Sequence, residues 1–173
     1  AKNAVELEGF RRAHIRDGVA VCKFLYWLEN NWQGQDEFSI AEKLKEFRAQ
    51  GENFKDLSFE TIAAFGANGA VVHYTPKKET ALALEADSVL LLDSGAQYLD
   101  GTTDITRTIA IGKVEDKIKD SFTQVLKAHI AAASSRFPSG TQGRAIDTIA
   151  RAELWHFGKD FNHGTGHGVG CFG

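Results

Sequence analysis

Apolar residues recur at helical spacing over the first stretch of the chain. From Ala4 to Glu29 there is no proline, and apolar side chains return every three or four positions. Asn3 and Glu6 have the spacing of a capping box, in which two side chains satisfy backbone N–H groups of the first turn. The pattern predicts a long helix over Ala4–Glu29, weakened at Gly9 and Gly18 by about 1 kcal/mol each relative to alanine.

Three further helices are predicted by the same criteria. Ser39 and Glu42 form a second capping-box pattern, which opens a helix over Ile40–Gln50. Two more stretches of helical spacing, Glu115–Arg136 and Arg144–Phe157, are separated by a Phe-Pro-Ser-Gly sequence that breaks a helix.

Between these helix pairs the hydrophobic pattern becomes that of strands. Phe59–Phe65 and Ala70–His73 are predicted to be short strands around a turn rich in Gly and Asn. Ser88–Ser94 contains a run of four aliphatic residues, which is typical of a strand covered on both faces. Thr103–Ile111 alternates and is rich in β-branched residues, so it is predicted to pair with Ser88–Ser94 as a hairpin. The order of elements indicates an α+β domain.

The composition is that of an ordinary globular domain. The 173 residues are 43% hydrophobic and 25% charged, and a formal net charge of −3 argues against a nucleic-acid partner. No apolar run has the length of a membrane span. Two cysteines, Cys22 and Cys171, are too few for a disulfide framework and match no zinc motif, which favours a reducing, cytoplasmic setting. The chain lacks Met and stops within a Gly-rich run, so we expect a piece of a longer protein.

Two aspartates interrupt the predicted hairpin. Asp93 follows Val-Leu-Leu-Leu, where a buried strand would carry another apolar side chain. A hairpin centred between Tyr98 and Leu99 would place Asp93 opposite Asp104, with the two Cβ atoms about 5 Å apart. Two carboxylates that close repel each other, and the pKa of one would rise unless a cation neutralised them. The pair therefore predicts a divalent metal site, which two ions about 3.5–4 Å apart would satisfy better than one.

An alternative explanation of the two aspartates needs no metal. In it, one aspartate is exposed and the other pairs with Arg107. Strand alternation weakens this alternative, because Asp104 shares a face with Thr106 and Thr108 while Arg107 points to the other face.

A glycine–histidine segment lies at the end of the chain. His163–Gly170 contains four glycines in eight residues, which argues against a helix. As an extended segment it would place His163, Thr165 and His167 on one face and only glycine on the other. Two imidazoles on one face indicate a metal or substrate site, with a flexible linker as the alternative. Neighbouring Cys171 is interpreted as a buried free thiol rather than a ligand.

His73 follows two valines at the end of a predicted strand and precedes Tyr74-Thr75-Pro76. A single histidine at such a place is more often structural than catalytic. The local pattern therefore assigns it no role.

Three motifs together resemble a known family. AVVHYTP at 70–76, DSGAQYLDGTTDITRT at 93–108 and HGTGHGVG at 163–170 are similar to the Xaa-Pro aminopeptidases of the creatinase/methionine-aminopeptidase superfamily. The resemblance covers nearly the whole chain, from about Lys2 onward. Prolidases usually carry HGLGH instead, so the HGTGH form favours the Xaa-Pro aminopeptidase branch.

The resemblance implies a pita-bread fold and an incomplete catalytic domain. Residues 1–112 would form the first half of the fold, and residues 113–173 the start of the second half. The family completes its metal site with two glutamates beyond the histidine motif, and it usually carries further domain material before the first helix. The chain is therefore expected to be truncated before those glutamates.

The resemblance also implies a role for each candidate residue. Asp93 resembles the carboxylate that chelates one metal, and Asp104 the carboxylate that bridges both. His167 resembles the imidazole ligand of the other metal. His163 resembles a residue that contacts the substrate near the scissile bond. His73 resembles a histidine that hydrogen-bonds the substrate and helps to move protons, a role that the local pattern did not suggest.

The implied activity is removal of the first residue from Xaa-Pro peptides by a hydroxide that bridges two divalent ions. The resemblance favours Mn²⁺, although oxygen-rich ligands with one imidazole also suit Co²⁺ or Zn²⁺. The expected partners are peptides with proline at the second position, without nucleic acid or membrane, and family members are commonly homo-oligomers. The alternatives are a prolidase-type Xaa-Pro dipeptidase and a non-catalytic pita-bread binding module; the retained aspartates and histidines argue against the second.

Overall fold

The computed structural model describes residues 1–171, which contain four α-helices, one 3₁₀ helix and six strands. The helices are α1 (Ala4–Asn31), α2 (Glu37–Ala49), α3 (Asp116–Ser134) and α4 (Gly143–Trp155), and the 3₁₀ helix is Gly66–Ala70. The strands are β1 (Phe54–Leu57), β2 (Ile62–Phe65), β3 (Ser88–Ser94), β4 (Ala96–Tyr98), β5 (Gly101–Thr102) and β6 (Ile105–Ile111). None of the helices in this part of the chain is long and apolar enough to cross a membrane.

The chain divides into two compact units. The first contains residues 1–113 and the described residues from Val169 onward, and the second contains residues 114–168. Asp93, Asp104 and His73 belong to the first unit, and both histidines of the glycine–histidine segment belong to the second.

Helix α1 begins where the N-terminal pattern predicts. Asn3 Oδ1 accepts the Glu6 N–H at 2.9 Å, and Glu6 Oε2 accepts the Asn3 N–H at 2.8 Å, so the predicted capping box is confirmed. Val21, Phe24 and Leu28 on one face of the helix are buried in the main core of the first unit.

Helix α2 begins at Glu37 rather than at the predicted Ile40. The cap is Asp36, whose Oδ1 accepts the Ser39 N–H at 2.7 Å, and Ser39 Oγ accepts the Asp36 N–H at 2.9 Å. The predicted capping box of Ser39 with Glu42 was wrong because the carboxylate of Asp36, three residues before Ser39, caps the helix instead. A negative charge there also interacts favourably with the helix N-terminus.

Strand β3 lies at the centre of an antiparallel sheet with the order β2-β3-β6. Ser88–Ser94 pairs with Ile105–Ile111 along its whole length, which confirms the predicted hairpin pairing. Leu90, Leu92 and Ile111 are buried in the same core as α1 and α2. A second antiparallel sheet has the order β1-β4-β5.

The strand predicted over Phe59–Phe65 is confined to Ile62–Phe65, and the strand predicted over Ala70–His73 is wrong. The chain instead forms the 3₁₀ helix, followed by a turn that contains His73. His73 has a φ value of +57°, which lies in the left-handed region and does not fit a strand.

The β4–β5 hairpin packs against the first turns of α1. An added Cβ at Gly9 would overlap the Asp100 carbonyl, and one at Gly101 would lie 3.1 Å from Ala13 Cβ. Gly9, which weakens the predicted helix, therefore also lets the hairpin approach the helix closely.

A buried ion pair connects α1, α2 and β4. Arg48 donates from Nε and Nη2 to the two carboxylate oxygens of Asp17, at 2.8 and 3.0 Å, and both side chains are fully buried. Tyr98 donates its hydroxyl to Asp17 at 2.9 Å, and burial raises the pKa of this tyrosine, with the Asp17 charge adding to the shift. Tyr98 is thereby fixed as a strand residue at the end of β4.

The second unit consists of α3, α4 and the segment that follows them. Ala128, Ala150 and Leu154 form its small core, with Phe161 packed against it. The predicted helices over Glu115–Arg136 and Arg144–Phe157 are both present, with ends that differ by one or two residues.

Candidate metal and substrate site

The two aspartates lie on the β3–β6 hairpin, but they are not directly opposite each other. Asp93 pairs with Thr106, and Asp104 precedes the first residue of β6. The predicted register was two residues out because the turn is centred between Leu99 and Asp100, not between Tyr98 and Leu99. Tyr98 cannot lie in the turn because it is 1% exposed and bonded to a buried carboxylate.

A regular continuation of the observed register would place both carboxylates on one side of the hairpin. The Thr103 N–H donates to the Ala96 carbonyl at 2.9 Å. This bond extends the register of the β4–β5 pair toward the β3–β6 pair. Continuing it by one residue sets Asp104 opposite Gly95, two positions from Asp93. A shift of two residues keeps side chains on the same face, and such diagonal neighbours in a regular ladder are about 7–8 Å apart.

Asp93 carries a carboxylate oxygen that the surrounding protein does not satisfy. The side chain is half-buried, and Oδ1 is buried with no hydrogen-bond partner in the described part of the chain. Leaving a carboxylate oxygen buried without a partner is unfavourable unless a cation or donor is supplied. Carboxylate oxygens are ligands that suit a divalent metal, so the unsatisfied oxygen makes Asp93 a candidate ligand.

Gly95 lets its own backbone approach the backbone of Thr103 closely, at the point between Asp93 and Asp104 in the hairpin. An added Cβ at this position would overlap both the Thr103 carbonyl oxygen and Ser58 Oγ. Ser58 reinforces the crossing, since its N–H donates to the Gly95 carbonyl at 3.1 Å and its hydroxyl to the Thr103 carbonyl at 2.9 Å. Neither residue was identified from the sequence, although the glycine of the Asp-Ser-Gly motif was the available signal.

His73 lies on the turn that follows the 3₁₀ helix and is exposed to solvent. Its left-handed backbone conformation is uncommon for a residue other than glycine, although histidine adopts it more often than most. Residues held in such conformations concentrate at functional sites.

His163 and His167 lie in a segment without helix or strand, and both imidazoles are exposed. The predicted extended segment therefore does not form part of a sheet in the described chain. Each ring turns Nδ1 toward the next backbone carbonyl, at 2.8 Å for Gly164 and 2.9 Å for Gly168. A neutral imidazole must donate from Nδ1 in this contact, which leaves the lone pair on Nε2, the atom that can ligate a metal.

Arg151 of α4 holds the segment that carries these histidines. It donates from Nη1 to the Phe161 carbonyl at 2.6 Å and from Nη2 to the His163 carbonyl at 2.8 Å. Its guanidinium lies 4.1 Å from the centre of the Phe161 ring, which in turn lies 4.8 Å from the His163 ring. Arg151 also bonds to Asp147 and Asp160, both at 2.8 Å.

Asp147 adds a second connection, because it accepts a hydrogen bond from Thr165, between the two histidines. The bond from Arg151, followed by that from Thr165, lowers the pKa of Asp147 below its usual value. Asp147 and Arg151 are four residues apart on one helix face, which was the available sequence signal.

Cys171 is exposed, so the prediction of a buried thiol was wrong. Among the described residues, no atom lies within 4 Å of an added Cβ at Gly166, Gly168 or Gly170. The described residues around these glycines therefore form no packed core that would bury the thiol.

The predicted ligands do not complete a metal site by themselves. Over residues 1–171, no group of three or more His, Cys, Asp or Glu side chains is arranged to hold a metal ion. The hairpin carboxylates belong to the first unit, and both histidines of the glycine–histidine segment belong to the second.

Similar proteins are known from sequence and from structure. The chain matches metallopeptidase family M24 over residues 8–172. It is 45% identical to aminopeptidase P1 of Arabidopsis thaliana, over 99% of this chain and 30% of that protein. It is 50% identical to a probable Xaa-Pro aminopeptidase P of Podospora anserina, over 99% of this chain and 26% of that protein. The chain thus spans about a quarter to a third of the length of these relatives.

Solved structures share the fold. An X-prolyl aminopeptidase from Caenorhabditis elegans, described as a cytosolic enzyme with a di-nuclear active site, superposes with a TM-score of 0.91 at 43% identity, over 99% of this chain and 28% of that one. An Xaa-Pro dipeptidase from Bacillus anthracis superposes with a TM-score of 0.85 at 29% identity, over 98% of this chain and 46% of that one. The predicted α+β, pita-bread fold class is confirmed. The chain belongs to metallopeptidase family M24.

Proposed function

We propose that this chain is part of a dinuclear metallo-aminopeptidase that removes the first residue from peptides with proline at the second position. The relatives that match 99% of the chain at 45–50% identity carry the names aminopeptidase P1 and probable Xaa-Pro aminopeptidase P. The similar structure from Caenorhabditis elegans is described as cytosolic, and a cytosolic location is proposed here as well.

The observation that carries the proposal is the buried Oδ1 of Asp93, which has no hydrogen-bond partner among the described residues. Asp93 would hold one metal ion, Asp104 would bridge two, and His167 would bind the other through Nε2. Bound divalent ions would supply Lewis acidity to the scissile carbonyl and lower the pKa of the attacking water. An oxygen-rich set with one imidazole favours Mn²⁺, with Co²⁺ and Zn²⁺ as alternatives.

The remaining two histidines would act on the peptide. His163 in its neutral form presents Nε2 as an acceptor, suited to a substrate N–H near the scissile bond. His73, on its exposed turn, would hydrogen-bond the substrate and pass protons to or from solvent. Both would position the peptide rather than attack it.

A prolidase-type dipeptidase is the second candidate, because a solved Xaa-Pro dipeptidase has the same fold at 29% identity. The two activities differ in whether residues beyond the proline are required. A non-catalytic binding module is less well supported, since the chain retains Asp93, Asp104, His163 and His167.

The test is hydrolysis of Ala-Pro-Ala, Ala-Ala-Ala and Ala-Pro by the full-length protein, stripped of metal and reloaded with Mn²⁺. We expect Ala to be released from Ala-Pro-Ala at least about 100-fold faster than from Ala-Ala-Ala, and only with metal present. Faster cleavage of Ala-Pro than of Ala-Pro-Ala would indicate a dipeptidase. Absence of cleavage of all three by metal-loaded protein would support a binding module.

A further inference from the structure

Glu37, the first residue of α2, is a fully buried carboxylate that the predicted site does not use. Its Oε1 accepts the Phe65 N–H at 2.7 Å and the Asn68 side-chain amide at 2.9 Å. Its Oε2 accepts the Tyr74 hydroxyl at 2.6 Å and the Leu82 N–H at 2.9 Å. Four donors therefore satisfy a charge that would otherwise be very unfavourable in the core.

These donors bracket His73 in sequence. Asn68 precedes it on the 3₁₀ helix, Tyr74 follows it directly, and Leu82 lies at the far end of the same irregular segment. The Glu37 N–H also donates to the Leu82 carbonyl at 3.1 Å, so both backbone groups of Leu82 are fixed by one residue. Glu37 is thus a common anchor for residues on both sides of His73.

Such an anchor explains how the His73 backbone keeps its conformation. A left-handed φ on a residue other than glycine costs about 1 kcal/mol or more, and it persists only where surrounding contacts fix the chain. Burial raises the pKa of Tyr74 to about 12, and the hydrogen bond to Glu37 and the charge of Glu37 add to the shift. Tyr74 therefore remains a hydrogen-bond donor to Glu37 at neutral pH.

We propose that Glu37 is a positioning residue, which acts through Tyr74 and Asn68 to hold His73 in place for the substrate. The inference rests on the proposed function, in which His73 contacts the peptide. Glu37 itself touches neither substrate nor metal in this account. Removing part of the anchor should therefore reduce turnover without removing metal.

The test compares Tyr74→Phe with Tyr98→Phe in the full-length, Mn²⁺-loaded protein. Both changes remove a tyrosine hydroxyl that donates to a fully buried carboxylate, Glu37 in the first case and Asp17 in the second. We expect Tyr74→Phe to lower kcat/KM for Ala-Pro-Ala by about 10-fold or more at unchanged metal content, because small misplacements of a substrate contact reduce rates steeply. Tyr98→Phe should also lose stability, and it serves as the control for the loss of a buried tyrosine hydroxyl in the stability and hydrogen-exchange measurements.

A double-mutant cycle with His73 separates positioning from a general structural effect. In a His73→Ala background, Tyr74→Phe should have no further effect on kcat/KM, because the residue through which it acts is gone. An equal loss of kcat/KM in both backgrounds would overturn the proposal, as would an unchanged kcat/KM in Tyr74→Phe alone. Glu37→Gln provides a stronger variant, and the milder tyrosine change remains informative if it fails to fold.

Hydrogen exchange distinguishes failure of this inference from failure of the proposed function. If the metal-loaded wild type cleaves no Xaa-Pro peptide, the proposed function is wrong. Hydrogen exchange then tests separately whether Glu37 anchors the segment around His73. Amides of residues 66–82 should exchange at least about 10-fold faster in Tyr74→Phe than in wild type, with no such change in Tyr98→Phe. Equal exchange in wild type and Tyr74→Phe would overturn the anchor.

Discussion

Replacing Asp104 by alanine is expected to lower both metal content and kcat/KM of the full-length protein while the fold is retained. In the proposed site Asp104 bridges two ions, and losing such a carboxylate would remove several kcal/mol of charge stabilisation in the transition state, which corresponds to about 10³-fold or more in kcat/KM. Asp93→Ala should give a similar loss. Metal analysis, turnover of Ala-Pro-Ala and circular dichroism measure the three expectations.

The stability of the metal-free protein tests the role of Asp93 independently of turnover. Its buried Oδ1 has no hydrogen-bond partner in the described residues. In the metal-free protein, Asp93→Ala should therefore leave the free energy of unfolding unchanged or raise it. Asp56→Ala is a suitable control, because that carboxylate is 74% exposed on β1 and its loss should change neither metal content nor turnover. An Asp104→Ala protein with full metal content and turnover would show the bridging role to be wrong.

Gly95→Ala is expected to destabilise the protein strongly and to reduce metal affinity. The added Cβ would overlap the Thr103 carbonyl and Ser58 Oγ, so the backbone must open between Asp93 and Asp104. Forcing extra atoms into such a contact typically costs 1–3 kcal/mol or more, and we expect roughly 3 kcal/mol at this position because one of the atoms belongs to the backbone. Urea unfolding and a Mn²⁺ titration measure the two effects, with at least a 10-fold loss of metal affinity expected.

Gly18→Ala is the matched control for this substitution. Gly18 lies within α1, and an added Cβ there meets no atom within 4 Å. Because alanine is favoured over glycine in a helix, stability should rise by up to about 1 kcal/mol with metal affinity unchanged. A Gly95→Ala protein as stable as wild type, with wild-type metal affinity, would contradict the close crossing at the hairpin.

The helices and the strand pairing could be predicted because their signals are local. The box of Asn3 with Glu6 fixes the start of α1, and the β-branched alternation up to Ile111 identifies β6. The hairpin register was wrong because it depends on Tyr98, which a buried carboxylate on α1 keeps in the strand. That contact joins residues 81 positions apart, and no local pattern indicates it.

Some residues of the candidate site were likewise indicated by the local sequence, and others were not. The unfavourable burial of Asp93 and its proximity to Asp104 could be argued from strand patterns, whereas His73, His163 and His167 depended on resemblance to a family. The roles of Glu37 and Arg151 were not predictable from local sequence. Glu37, for example, acts on a tyrosine 37 residues away through a segment that has little regular structure.

The most direct test of the account is the position of the metal. Crystals of the full-length protein soaked in Mn²⁺ should show two anomalous peaks, both about 2–2.3 Å from Asp104 carboxylate oxygens. One of them should also contact Asp93, and the other should contact His167 Nε2. Metal ions bound only at other residues, with Asp93 and Asp104 uncoordinated, would contradict the account.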